Sequence, residues 1–369
     1  MSPGVRAALE RIGGAEDVRF SPSNGRIALA CLPHNAIAIA DVTVDVDGDR
    51  SRVTITHVEE YSSPSLDRPH GVDFVDDDTV IVANRGGNLT LLQLPADTSG
   101  SGEAAEIELP ADRDFEGLSA PGSVRVVRDG GSSARVLVVN IWNSTITSHE
   151  LQDEPWSVHT NDVLLRRWLD SPDGVATIPD GRWIAVSSHG SHVVLVYACS
   201  SSLGTDADPQ CILRGVTYCH GVVFSADSRH LFVADAGRPY VHVYEQHGVT
   251  WEGVHVPSAS FRVMNDDVFA KARDAQSGGP KGVDIDHTGR VLAVACENQP
   301  VKFFDVPELF EHAAEGSPDR SLEVEAELHA MEHARVRVDA RIAKIMTSRS
   351  FRITKPLRQL NTIWAKRRG

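Results

Sequence analysis

The chain has 369 residues, 41% of them hydrophobic and 24% charged, which suits a protein able to bury a core without disulfides or structural metals and excludes one disordered throughout. The net charge of −15 hides an asymmetry: residues 335–369 hold 11 Lys or Arg and one acid, leaving 25 basic and 50 acidic residues elsewhere. An acidic body with a basic end argues for different partners at the two ends.

Residues 1–12, within MSPGVRAALERIGG, form a lead without the apolar core of a signal peptide, so the expected compartment is the cytoplasm. No apolar run reaches the ~18 residues of a membrane-spanning helix. The five cysteines form no CxxC pair, so neither a disulfide framework nor a zinc ribbon is expected.

From residue 13 one template recurs six times. Each unit has a short strand after a small motif, a tight turn, an apolar strand and a third strand. The units begin at Glu16, His70, Gly122, Asp173, His220 and Lys281, and their anchors are Val18, Val72, Val124, Val175, Val222 and Val283. The anchors are 54, 52, 51, 47 and 61 residues apart. Turns such as SPSNGR, IPDGR and DHTGR carry the Asp, Asn, Gly and Ser of tight hairpins. More variable stretches (51–62, 103–110 and 249–256) supply a fourth strand. Four-stranded units of this length are propeller blades, which bury their faces only against neighbours. The expected fold is all-β, a six-bladed β-propeller over residues 13–329 with 321–329 as an outer strand, followed by a short basic helical tail over 330–369.

The residue before each inner strand, and the one ending each second strand, are expected to face one end of the central channel. The first column reads Glu16, His70, Gly122 or Ser123, Asp173, His220, Lys281. The second reads Cys31, Asn84, Asn140, Ser188, Asp235, Cys296. Imidazoles and carboxylates converging from separate strands make a divalent metal site. They also suit acid–base chemistry, with His70 or His220 as base and Asp173 orienting it. A His-Gly pair at a strand start can instead hydrogen-bond the neighbouring blade. The expected metal ligands are Glu16, His70, Asp173, His220 and Asp235, and the expected substrate contacts are Asn84, Asn140, Lys281 and His189.

The units resemble NHL and YVTN repeats and the gluconolactonase–regucalcin type of propeller, most of all in HGVVFSADSRHLFVADAG (220–237). That resemblance implies a divalent metal, with Glu16 and Asp235 at two ligand positions. His220 stands where the family has Asn, which favours zinc or iron over calcium. Peptidyl-hydroxyglycine lyases, a related six-bladed family, place three His ligands on zinc; here His70 and His220 are in position, with His189 or His34 as the third.

The string SRSFRITKPLRQL (348–360) resembles a segment found on bacterial enzymes of surface-polysaccharide assembly. Basic and aromatic residues interleave there, fitting an anionic membrane surface or an acidic partner; nucleic acid is not expected. The implied function is a metal-dependent hydrolase or lyase of a small sugar-like or lactone substrate in a glycan pathway, peripheral to the inner membrane. The alternative is a non-catalytic scaffold or sugar-binding module of a glycan-assembly complex.

Overall fold

In the computed structural model the described residues are 2–315, apart from 49, 96–103, 110–113, 129–132, 154–155, 201 and 272–277. The outer strand expected at 321–329 and the basic tail lie outside the described residues. Six antiparallel units form a β-propeller. Blade 1 comprises Asp17–Phe20, Arg26–Cys31, Ala36–Asp47 and Arg50–Tyr61; blade 2, Pro69–Phe74, Thr79–Asn84, Leu89–Gln93 and Ala105–Glu106. Blade 3 is built of Pro121–Arg128, Ser133–Asn140, Thr145–Gln152 and Ser157–Leu165, and blade 4 of Pro172–Thr177, Trp183–Ser188, Val193–Ala198 and Cys211–Leu213. Blade 5 has Cys219–Phe224, His230–Asp235, Tyr240–Glu245 and Ala259–Arg262, and blade 6 has Val283–Ile285, Val291–Cys296 and Gln299–Asp305 among the described residues.

Two outer strands differ from the sequence reading. The 249–256 stretch does not close blade 5: Gly253–His255 crosses to blade 4 and pairs in parallel with Cys211–Leu213. Ala259–Arg262 takes its place on blade 5. Buried Trp251 anchors the crossing, packed against the blade 4 and 5 side chains Leu213 and Phe224. In the 103–110 stretch the strand is short, Ala105–Glu106, with the Ile107 N–H donating to the Leu91 carbonyl just beyond it.

The anchor valines occupy one register. Val18 faces Leu29, and the other five face Val82, Val138, Val186, Val233 and Val294 of their second strands. Six apolar clusters each join adjacent blades, from Val58 and Val291 at the seam between blades 1 and 6 to Phe261 and Leu292 between blades 5 and 6. Each blade therefore needs both neighbours to cover its faces.

The lead is a helix, Pro3–Ile12, whose Ser2 hydroxyl accepts from the Val5 N–H. Its Val5, Leu9 and Ile12 lie over the seam with Ile27, Ile55 and Val291. A second helix, Val306–Glu315, places Phe310 edge-on against Phe261 with ring centres 5.5 Å apart. No helix among the described residues is long and apolar enough to cross a membrane.

Candidate functional site

Inner strands approach the propeller axis more closely than side chains allow. A Cβ on Gly174 would sit 2.4 Å from the His220 carbonyl oxygen, one on Gly221 2.4 Å from that of Lys281, and one on Gly282 2.6 Å from the Asp17 Cα. This explains the His-Gly, Asp-Gly, His-Gly and Lys-Gly pairs: glycine permits the backbone contact, and the residue before it lines the axis.

Glu16, His70, Asp173 and His220 converge there, all buried. His70 donates from Nδ1 to the Gly122 carbonyl of blade 3 at 2.7 Å. The bond to the neighbouring blade thus forms, and it leaves Nε2 as an acceptor facing the axis, 3.3 Å from Glu16 Oε2. His220 Nε2 lies 3.0 Å from Asp173 Oδ2 and 3.9 Å from Glu16 Oε2. The His70 and His220 rings stack at 5.4 Å.

His189 also joins, its Nε2 3.5 Å from Asp173 Oδ2 and its ring 4.2 Å from that of Tyr218. Lys281 donates to both oxygens of Glu16, at 3.0 and 2.8 Å, and to Glu297. Arg85 Nη2 reaches His70 Nε2 at 2.7 Å and Asp173 Oδ1 at 3.1 Å.

Arg85 and Glu297 were missed by the sequence reading, although a signal was present. Each is the residue after the second column, as is His189. In blades 2, 4 and 6 the position one on from that column reaches the site. The second column instead turns into the blades, so Asn84, Asn140 and Asp235 are corrected as site residues. Asn84 Oδ1 accepts from the Asp67 N–H at 3.1 Å, and Asn140 Oδ1 from Ser119 at 2.8 Å. Asp235 accepts from the Thr217 and Tyr218 N–H groups, both at 2.8 Å, and from His242 at 3.1 Å. Fully buried and engaged, all three hold the loop leading into their own blade rather than a ligand. His34 is also absent from the site, pairing with Glu60 at the half-exposed rim.

The charge pattern follows from burial. Burial would raise both Glu16 and Asp173, but the first is held well below the usual carboxylate range by neighbouring His70 and by the charge of Lys281, and the second by His220, His189, His70 and Arg85. Burial pushes His189 down to about 4 and His220 well below its ordinary value, so both rings are neutral at pH 7. Lys281 stays charged because Glu16 and Glu297 outweigh its burial. Burial raises half-buried Glu297 despite Lys281.

Two donor sets share His220, Glu16–His70–His220 and Asp173–His189–His220, with the donor atoms of each set within 4.8 Å of one another. Neutral imidazoles beside carboxylates are what a divalent cation takes. The buried Nε2 of His189 has no hydrogen-bond partner in the protein, and a cavity beside Glu16, His70, Asp173 and His220 measures about 10 Å³, the room of one ion or water. The residues therefore fit a metal.

Fold and site together define a six-bladed propeller with a histidine-rich pocket at one end of its channel. No protein-family model matches the chain, and comparison with curated proteins returns no relative. Among solved structures the chain is similar to regucalcin from Agrobacterium tumefaciens strain C58, a calcium-binding protein. The identity is 13% and the TM-score 0.45, over 76% of this chain and 81% of that one. At that distance no residue is carried across.

Proposed function

We propose that the chain is a metal-dependent hydrolase or lyase whose ion is held by Glu16, His70, Asp173, His189 and His220. The observation that carries this is the pair of donor sets sharing His220, the second of which includes a His189 Nε2 that makes no hydrogen bond. Three imidazoles to two carboxylates favour zinc or iron over calcium, whose ligands are oxygens. Such an ion supplies Lewis acidity and an activated water.

The chain's own groups do the rest. Gly122 fixes the His70 tautomer through its carbonyl. Arg85 and Lys281 fix the carboxylates, and Arg85 would give up His70 Nε2 to the ion while keeping Asp173. Glu297, partly exposed, raised by burial and paired with Lys281, is the carboxyl group placed to exchange a proton at the pocket. With room for only an ion or water in the pocket, the substrate lies above it, presenting a carbonyl or hydroxyl oxygen inward. A lactone or small sugar meets that requirement.

The test is metal analysis of purified protein, then titration of the metal-free form with Zn²⁺, Fe²⁺, Mn²⁺ and Ca²⁺. One equivalent should bind, with zinc or iron tightest. Affinity should fall at least ~100-fold in His220→Ala and ~10-fold in His189→Ala. Because the His189 ring protonates only near pH 4, binding should persist to about pH 5, below where ordinary histidine sites release metal. Absence of stoichiometric binding, or equal affinity in His220→Ala, would overturn the proposal. Turnover of a lactone panel by the loaded protein then tests the reaction.

A further inference from the structure

The channel has a second mouth. The inner strands that start at the histidines end on the opposite face, where those of blades 3 to 6 surround a cavity of about 340 Å³. That size falls at the lower end of small-molecule pockets, roughly 300–1,000 Å³. Ile178, Phe224, Ala226 and Ile285 give it apolar walls.

Its charged groups are mostly committed. Arg128 donates to the Val75 carbonyl at 2.7 Å and pairs with Asp153. Asp286 accepts from the Arg290 and Val291 N–H groups, both at 2.8 Å, and from the Thr288 hydroxyl at 2.6 Å. Asp284 holds the Phe20 N–H at 2.8 Å. Arg125 is held more loosely: it pairs with Asp73 at 3.7 Å, beyond hydrogen-bond length, lies near Asp284, and its buried Nε meets no acceptor in the protein. The wall is mixed, with Asp284 and Asp286 beside the apolar groups, and the partly exposed end of the Arg125 guanidinium is the group there that can take a planar carboxylate on an apolar body.

The geometry points to a second binding site at this mouth, for a small carboxylate with an apolar body, its anion on Arg125 and its body against Phe224 and Ile285. It is independent of the metal reading, because no residue lines both this cavity and the histidines' pocket. Benzoate is the probe, with acetate and inorganic phosphate for comparison, followed by NMR or calorimetry on the full chain. Benzoate should bind saturably, one per chain, and tighter than acetate or phosphate. Arg125→Met should weaken it at least ten-fold and Arg125→Lys less, while His220→Ala leaves it unchanged. Ala226→Trp, on an exposed turn at the rim, should block binding even if Arg125→Met folds poorly. No saturable binding, equal binding of all three anions, or benzoate binding unaffected by both Arg125→Met and Ala226→Trp would overturn the site.

Discussion

Asp173 and Asp235 are both fully buried aspartates at strand ends, yet only one faces the axis. Asp173 is ringed by imidazole nitrogens and Arg85; Asp235 is filled by the Thr217, Tyr218 and Gly237 N–H groups and His242. Truncating Asp235 to Ala orphans three backbone donors, one of them fully buried, and should cost about 3 kcal/mol, at ~1–3 kcal/mol for a buried group left unsatisfied. Asp235→Asn keeps an accepting oxygen and should cost about 1 kcal/mol. Denaturant unfolding measures both costs, and metal affinity should not change in either variant. A large loss of metal affinity in Asp235→Asn would return this carboxylate to the ligand set.

At the scale of the strand, glycine sets how close the blades come. A Cβ on Gly221 meets Lys281 O at 2.4 Å and Val283 N at 3.1 Å, both backbone atoms that cannot step aside. Gly221→Ala should therefore cost about 3 kcal/mol, at the upper end of overpacking penalties, and should weaken metal binding by displacing its neighbour His220. Gly204→Ala, with nothing within 4 Å of the new carbon, should leave the melting temperature unchanged. A silent Gly221→Ala would mean that the inner strands have slack. The repeat made this legible: six anchor valines fix the register, and the residue before each glycine is then placed at the axis. The second column was misplaced by one residue because side chains alternate across a strand, so a shift of one exchanges the pocket for the blade interior. Asn84 then looked like a ligand, and Arg85, pointing the other way, did not. The crossing of Gly253–His255 to blade 4 was not legible, since outer strands vary in length and carry no template residue.

The whole ring closes where the chain's first inner strand meets its last. Arg19 Nη1 donates to the Val283 carbonyl at 2.9 Å, and the Phe20 N–H to Asp284 at 2.8 Å. Pro3–Ile12 lies across the outside of this seam, with Ile12 1% exposed. The candidate site straddles the same seam: Glu16 belongs to blade 1, while Lys281 and Glu297, which engage it, belong to blade 6. Removing the Ile12 side chain with Ile12→Ala leaves a cavity between the two blades and should cost about 2–5 kcal/mol. Because every blade shares both faces with a neighbour, a loosened seam should not melt alone. Thermal unfolding should stay a single transition shifted down, with circular dichroism and tryptophan fluorescence coinciding. An ion bound by Glu16 on one side of the seam and by His220 and Asp173 across the ring holds only the closed form. At 100 times its Kd it should restore about 2.7 kcal/mol to Ile12→Ala, as it does to the native chain. Two separated transitions, the first removing metal binding and the second unfolding the rest, would show instead that the seam is an independent unit and that blades 2 to 5 hold without it.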